Sequence, residues 1–170
     1  MKRNLAEFDN VFCLKSLYCS LIRSNLEYCS NVWKPFYKIH KEAIERVQKR
    51  FLRFIAYKLH IPLEDINYEQ LQSLLSLPTL ENRRIYLDVV FLYKILKGLV
   101  DSPQLLGQIG FHVPGRSTRS RNLFAIDFCG TNYISNRPIL RMCKSANEYC
   151  EVVMFHSTLP VIKSAMKKLT

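Results

Sequence analysis

The sequence predicts a mainly α fold: a helical bundle around one buried central helix, followed by a smaller helical C-terminal lobe. Three observations lead there. Apolar residues recur at three- and four-residue steps along most of the chain, the spacing of an amphipathic helix. From Ile85 to Leu99 they run almost all the way round the helical wheel, and a helix apolar on every side is buried on every side. At 170 residues, 48% hydrophobic and 12% aromatic, the chain has the apolar content for a modest core of one domain or two small ones.

Taken in order, Val11, Leu14, Leu17, Tyr18 and Leu21 set a helix over about residues 9–23, with Asp9 or Asn10 as its N-cap. A second short piece from Leu26 ends at Trp33, ahead of Pro35, which disfavours helix at the residue before it. Lys38 to Leu59 carries the clearest pattern. Ile44, Val47, Phe51, Phe54 and Ile55 share one stripe of about 100°, and Arg46, Lys49, Arg50 and Arg53 centre on the opposite side. Glu42 and Glu45 precede Arg46 and Lys49 by four, a favourable order for ion pairs. Asn67 caps a short helix over Tyr68–Leu75, and Thr79 caps the central one, with Glu81 in its first turn. Gly98 and Asp101-Ser102-Pro103 end that helix.

Three segments follow: a helical domain over 1–106, a Gly/Pro-rich then Arg/Ser-rich linker over 107–122, and the C-terminal lobe over 123–170. Phe124–Phe128 has the pattern of a short strand but no evident partner. Pro138 opens a helix that places Ile139, Met142, Cys143, Ala146, Tyr149, Cys150 and Val153 at helical spacing. Thr158 and Pro160 start a last one, with Val161, Ile162, Ala165, Met166 and Leu169 on one side.

The net charge of +11 is unevenly spread. Residues 1–60 hold 12 basic and 5 acidic groups, residues 61–113 hold 4 and 6, and residues 114–170 hold 9 and 3. Two basic regions around a near-neutral middle favour a polyanionic partner. No apolar run approaches the ~18 residues of a membrane span. Glu7, Asp9 and Asn10 interrupt the place of a signal-peptide core, so an intracellular chain with reduced thiols is expected, without a membrane partner. Cys13, Cys19, Cys29, Cys143, Cys150 and His156 lack the close pairing that seeds a zinc site. Small buried hydrophobes are the expected role of the cysteines.

Catalytic patterns are missing as well. Asp9, Asp65, Asp88, Asp101 and Asp127 are all isolated from one another, whereas metal-assisted phosphoryl transfer needs paired carboxylates. Glu64-Asp65 is read as a helix entry. There is no phosphate-binding glycine loop and no nucleophile elbow. No catalytic residue, metal site or cofactor is expected. Binding remains, through Arg46, Lys49, Arg50 and Arg53 on the helix and Arg116, Arg119 and Arg121 on the loop. Each group has a plainer reading, as a solvated helix face and as an ordinary linker. Arg83 and Arg84 are read either as phosphate contacts or as partners of Glu81, Asp88 or a neighbouring helix, the second being favoured. Trp33 is read as a core plug rather than a base-stacking residue.

The succession SLIRSNLEYCSNVW, IERVQKRFLRFI, LSLPTLENRRIYLDVVFLYKILKGL and RSTRSRNL resembles the region after the catalytic palm in reverse transcriptases of jockey-type non-LTR (LINE-like) retrotransposons. The resemblance covers most of the chain. Ser24 departs from the proline often found after the arginine of the first motif. The resemblance implies a thumb-like helical bundle gripping RNA or DNA, duplex or single-stranded, without reading sequence. It implies a fragment truncated before residue 1, lacking the palm of the full RNA-directed DNA polymerase, and a palm in trans as a further partner. Two other expectations stand beside it: a protein–protein interaction module, and an element relic without a selected role.

Overall fold

A computed structural model describes residues 8–113, 122–149 and 158–165. The fold is mainly α, and among the described residues the only β pairing is an isolated antiparallel bridge. The chain forms two compact units, the first ending at Arg83 and the second beginning at Arg84.

In the first unit, α1 spans Val11–Tyr18, and Asn10 is its cap: its side-chain oxygen accepts from the N–H groups of Phe12 (2.9 Å) and Cys13 (3.2 Å). Asp9 instead accepts from Lys58 at 2.9 Å. The chain stays helical beyond Arg23, through a π turn over Cys19–Arg23 and then α2, Ser24–Glu27. The expected second piece from Leu26 is therefore divided. Cys29 takes a left-handed conformation (φ 50°), and only Ser30–Trp33, α3, follows it. Next come α4, Lys38–Lys58, a 3-10 turn at Leu63–Asp65, and α5, Tyr68–Leu74, capped by Asn67. Both α4 and α5 end on left-handed residues that are not glycine, His60 (φ 57°) and Ser76 (φ 46°). In each case the next N–H reaches back five residues, Ile61 to Ala56 and Leu77 to Gln72, which satisfies carbonyls the helix end would leave open.

The core of this unit joins Leu14 and Tyr18 to Phe51, Leu52, Phe54, Ile55, Leu71, Leu75 and Leu77. Tyr18 stacks on Phe51, with ring centroids 4.2 Å apart. Its hydroxyl donates to Gln48 Oε1 at 3.1 Å, and Gln48 Nε2 donates to the carbonyl of Pro78 at 2.9 Å. Gln48 is thus fully buried with both ends of its amide bonded, as a buried polar group requires. Burial pushes the Tyr18 phenol above its usual range, opposed by the nearby Arg23.

The central helix, α6, covers Leu80–Leu96, and none of its residues is exposed. Thr79 caps it by accepting from the Asn82 N–H at 3.2 Å. In the second unit Val89, Leu92, Tyr93 and Ile95 share one core with Ile109, Phe124, Ile139, Met142, Cys143, Ala146 and Ile162. The segment read as a separate lobe, 123–170, therefore contributes to the same core as α6. Ile109, within the stretch read as linker, is part of that core too.

Gly98 (φ 65°) ends α6, and α7, Pro103–Leu106, follows. Phe124 does have a partner: it bridges to Phe111, with Ala125 N–H donating to Gly110 and His112 N–H to Leu123, both at 2.9 Å. The other edge of this short pairing is finished by a side chain. Asn147 Oδ1 accepts from Leu123 and Phe124, and its amide nitrogen donates to the Phe124 carbonyl. Asn147 belongs to α9, Pro138–Tyr149, which follows the short α8, Asn132–Ser135, and precedes α10, Leu159–Ala165.

Buried charge is concentrated around α6. Asp88 is fully buried and accepts two bonds from Arg141 of α9, at 3.2 and 3.4 Å. Cys143 lies in the same core, and burial pushes its thiol up to about 11.

Candidate nucleic-acid interface

The face to be judged is the outer side of α4. Phe51, Phe54 and Ile55 are buried and Ile44 and Val47 half-buried, which fixes the helix's rotation. That rotation leaves Arg46, Lys49, Arg50 and Arg53 all exposed. Their i, i+3, i+4, i+7 spacing makes one strip about 10 Å long, at ~1.5 Å of rise per residue. Phosphates of one strand are spaced ~3.4 Å along a duplex axis and farther apart along the strand itself, so a strip of this length meets only a few consecutive phosphates.

The acidic neighbours differ from those suggested by sequence spacing. Glu42 pairs backward with Lys38 at 3.7 Å. Glu45 turns to the start of α6, where its carboxylate accepts from the Leu80 N–H at 3.1 and 3.3 Å. A carboxylate at a helix N-terminus is favoured by the dipole there. The strip consequently keeps more of its positive charge than the i, i+4 pattern suggests.

Its two halves are held differently. Arg53 Nε donates to the Tyr68 hydroxyl at 2.8 Å, and the Lys49 ammonium lies 5.9 Å from the centre of the same ring. Tyr68 therefore steadies these two cations from α5. Arg46 and Arg50 form no ion pair among the described residues. Beyond Tyr68 the surface changes sign: Lys49 opens onto a cleft also lined by Glu45, Glu64, Asp65 and Glu69.

Other candidates resolve in different ways. Arg83 makes a two-pronged pair with Glu27, both contacts 3.0 Å, and Arg84 is buried, so both side chains serve the fold. Trp33 is not a core plug. It is 41% exposed, its indole N–H donating to the Tyr28 carbonyl at 2.6 Å. Its neighbours in sequence Tyr28, Val32, Tyr37 and Ile39 are exposed as well. Arg116, Arg119 and Arg121 lie outside the described residues, as do Cys150 and His156. Cys143 is buried, Cys13, Cys19 and Cys129 are half-buried, and Cys29 is exposed.

One residue the sequence reading passed over also belongs here. Tyr57, four beyond Arg53 and seven beyond Arg50, is 76% exposed on the same side of α4. Its spacing from the arginines, at helical steps on one face, is the sequence signal for it. Among the described residues no group of three or more His, Cys, Asp or Glu side chains is placed to hold a metal ion, and no helix is long and apolar enough to cross a membrane. No protein-family model, curated protein or solved structure matches this chain.

Proposed function

We propose that this protein binds the backbone of nucleic acid without reading sequence, and that it is a thumb-type module of the kind found in jockey-type non-LTR reverse transcriptases. The observation that carries the binding reading is the strip itself: four exposed cations on α4, held in place by a buried opposite face. Phosphate contacts of this sort position a nucleic acid but carry no sequence information. The lineage rests on the motif resemblance. No catalytic role is assigned to any residue.

The test is the salt dependence of binding. Each neutralised phosphate releases counterions, so log affinity falls against log salt by about 0.9 per contact on duplex DNA. Replacing both Arg50 and Arg53 by Gln keeps helix propensity nearly unchanged and should reduce the slope by about 2. An unchanged slope in a folded double variant returns the strip to the role of a solvated face.

A protein-interaction role has an observation of its own: Tyr28, Val32, Trp33, Tyr37 and Ile39, all within twelve positions of sequence, are exposed. Exposed apolar side chains mark contact sites in soluble proteins where they gather into one patch, and a polymerase palm supplied in trans is the partner such a patch would meet.

A further inference from the structure

We infer that the strip on α4 is built for a single strand, with Tyr57 as a stacking platform for an unpaired base at its C-terminal end; this deepens the backbone-binding reading and rests on it. Two independent features point there. The first is the ring. Tyr57 lies on the line of Arg46, Arg50 and Arg53 at the helical steps that put side chains on one face, and 76% of it is exposed. A ring beside a row of cations is the pairing that single-strand binders use, phosphates on the charges and a base on the aromatic face. Within a duplex the base faces are covered by their neighbours, so the same ring has nothing to stack on.

The second feature is the border of the strip. On the Lys49 side, past Tyr68, stand Glu64, Asp65 and Glu69. On the opposite side the helix turns into the core at Phe54. The usable cationic surface is therefore bounded on both sides. A second strand laid on the Lys49 side would bring its phosphates against carboxylates, and like charges held close repel. A single strand running along Arg46, Arg50 and Arg53 avoids them.

The experiment uses the full chain and fluorescence anisotropy, with a labelled oligo-dT strand and a blunt duplex of the same length as probes. Tyr57→Leu keeps a good helix former at an exposed position, and circular dichroism checks that it folds; Tyr57→Gln is the second variant if leucine disturbs folding. Loss of one stacked base should weaken single-strand binding roughly tenfold, leave the salt slope unchanged and alter duplex binding less than about twofold, while Tyr57→Phe stays close to the parent. Equal loss on both probes, or loss on neither, overturns the inference. So does a change in self-association with binding unaltered, which would make the ring a protein contact. The Arg50/Arg53 double variant separates the two failures. If its slope on oligo-dT falls by about 1.4, two contacts at about 0.7 each, while Tyr57→Leu binds both probes normally, the platform is wrong and the backbone grip stands. If its slope is unchanged, the grip itself is wrong.

Discussion

Along α4 the side chains divide between a buried face, from Gln48 to Ala56, and an exposed one that carries four cations and Tyr57. Along α6 no residue is exposed, although the helix includes Glu81, Arg83, Arg84, Asp88 and Lys94. The two helices teach different rules about charge. On α4 the basic side chains stay in water, where they cost little and remain available to a partner. On α6 three of the charges are met by a counter-charge, Glu81 by Lys41 among them. Asp88 has Arg141, and Arg83 has Glu27. Helical periodicity therefore identifies a surface on α4, while on α6 it identifies only that the helix is surrounded.

This contrast can be broken most severely at Asp88. Asp88→Ala leaves the Arg141 guanidinium buried beside a missing carboxylate, and removing one member of a buried pair costs about 3–5 kcal/mol. Urea denaturation should show the loss. A cost under about 1 kcal/mol for the single variant would mean that water reaches the pair.

Core truncation on the same helix comes next. Leu92 is fully buried and Phe91 half-buried, so Leu92→Ala should cost about 2–5 kcal/mol. Phe91→Ala should cost less, despite removing the larger side chain. The reverse order in thermal melts would contradict the burial pattern of α6.

A gentler probe is alkaline pH. Burial raises the Cys143 thiol from its ordinary 9.0 to about 11 in the folded chain. Between those values the unfolded chain holds fewer protons than the native one, so stability falls as pH rises, by at most about 1.4 kcal/mol per pH unit for one group. Tyr18 is also raised and acts in the same direction at still higher pH. Cys143→Ala should flatten the decline between pH 9 and 11, and equal slopes in parent and variant would sink the assignment.

The smallest effect on folding belongs to α4. Replacing Arg50 and Arg53 together by Gln should change stability by no more than about 1 kcal/mol, as surface substitutions do, even though it is expected to change the salt response of binding. Arg53 surrenders its bond to Tyr68 in this variant. A larger loss of stability would show that Tyr68 and Arg53 hold α5 to α4.

The same contrast explains what could be read in advance. The bounds of α4, its buried stripe and its basic side follow from residue spacing alone, because local periodicity and tertiary burial agree there. Asn10, Asn67 and Thr79 were legible as caps because an oxygen-bearing side chain precedes each apolar run. The π turn at Cys19–Arg23 and the left-handed Cys29, His60 and Ser76 were not, since no glycine or proline marks them. Also hidden were partnerships across long stretches of sequence: Asp88 with Arg141, Glu45 with Leu80, and Asn147 with the backbone of Phe124. Each depends on the finished fold, so neither residue of a pair announces the other. At the candidate interface the four cations of α4 were legible, whereas Tyr57 and the acidic border past Tyr68 needed the rotation of α4 and the position of α5.

The bond from the Leu80 N–H to Glu45 has a consequence for the order in which the molecule assembles. Leu80 is fully buried, and this acceptor lies 35 residues earlier in the chain. An isolated α6 cannot supply it, because the first amides of a helix have no partner within the helix. The opening turn of α6 thus becomes secure only after α4 has docked, and whenever α4 lifts away that amide opens with it. Hydrogen exchange at Leu80 therefore serves as a clock for the docking of α4, slow when the two helices open only in one cooperative event and fast when α4 detaches by itself.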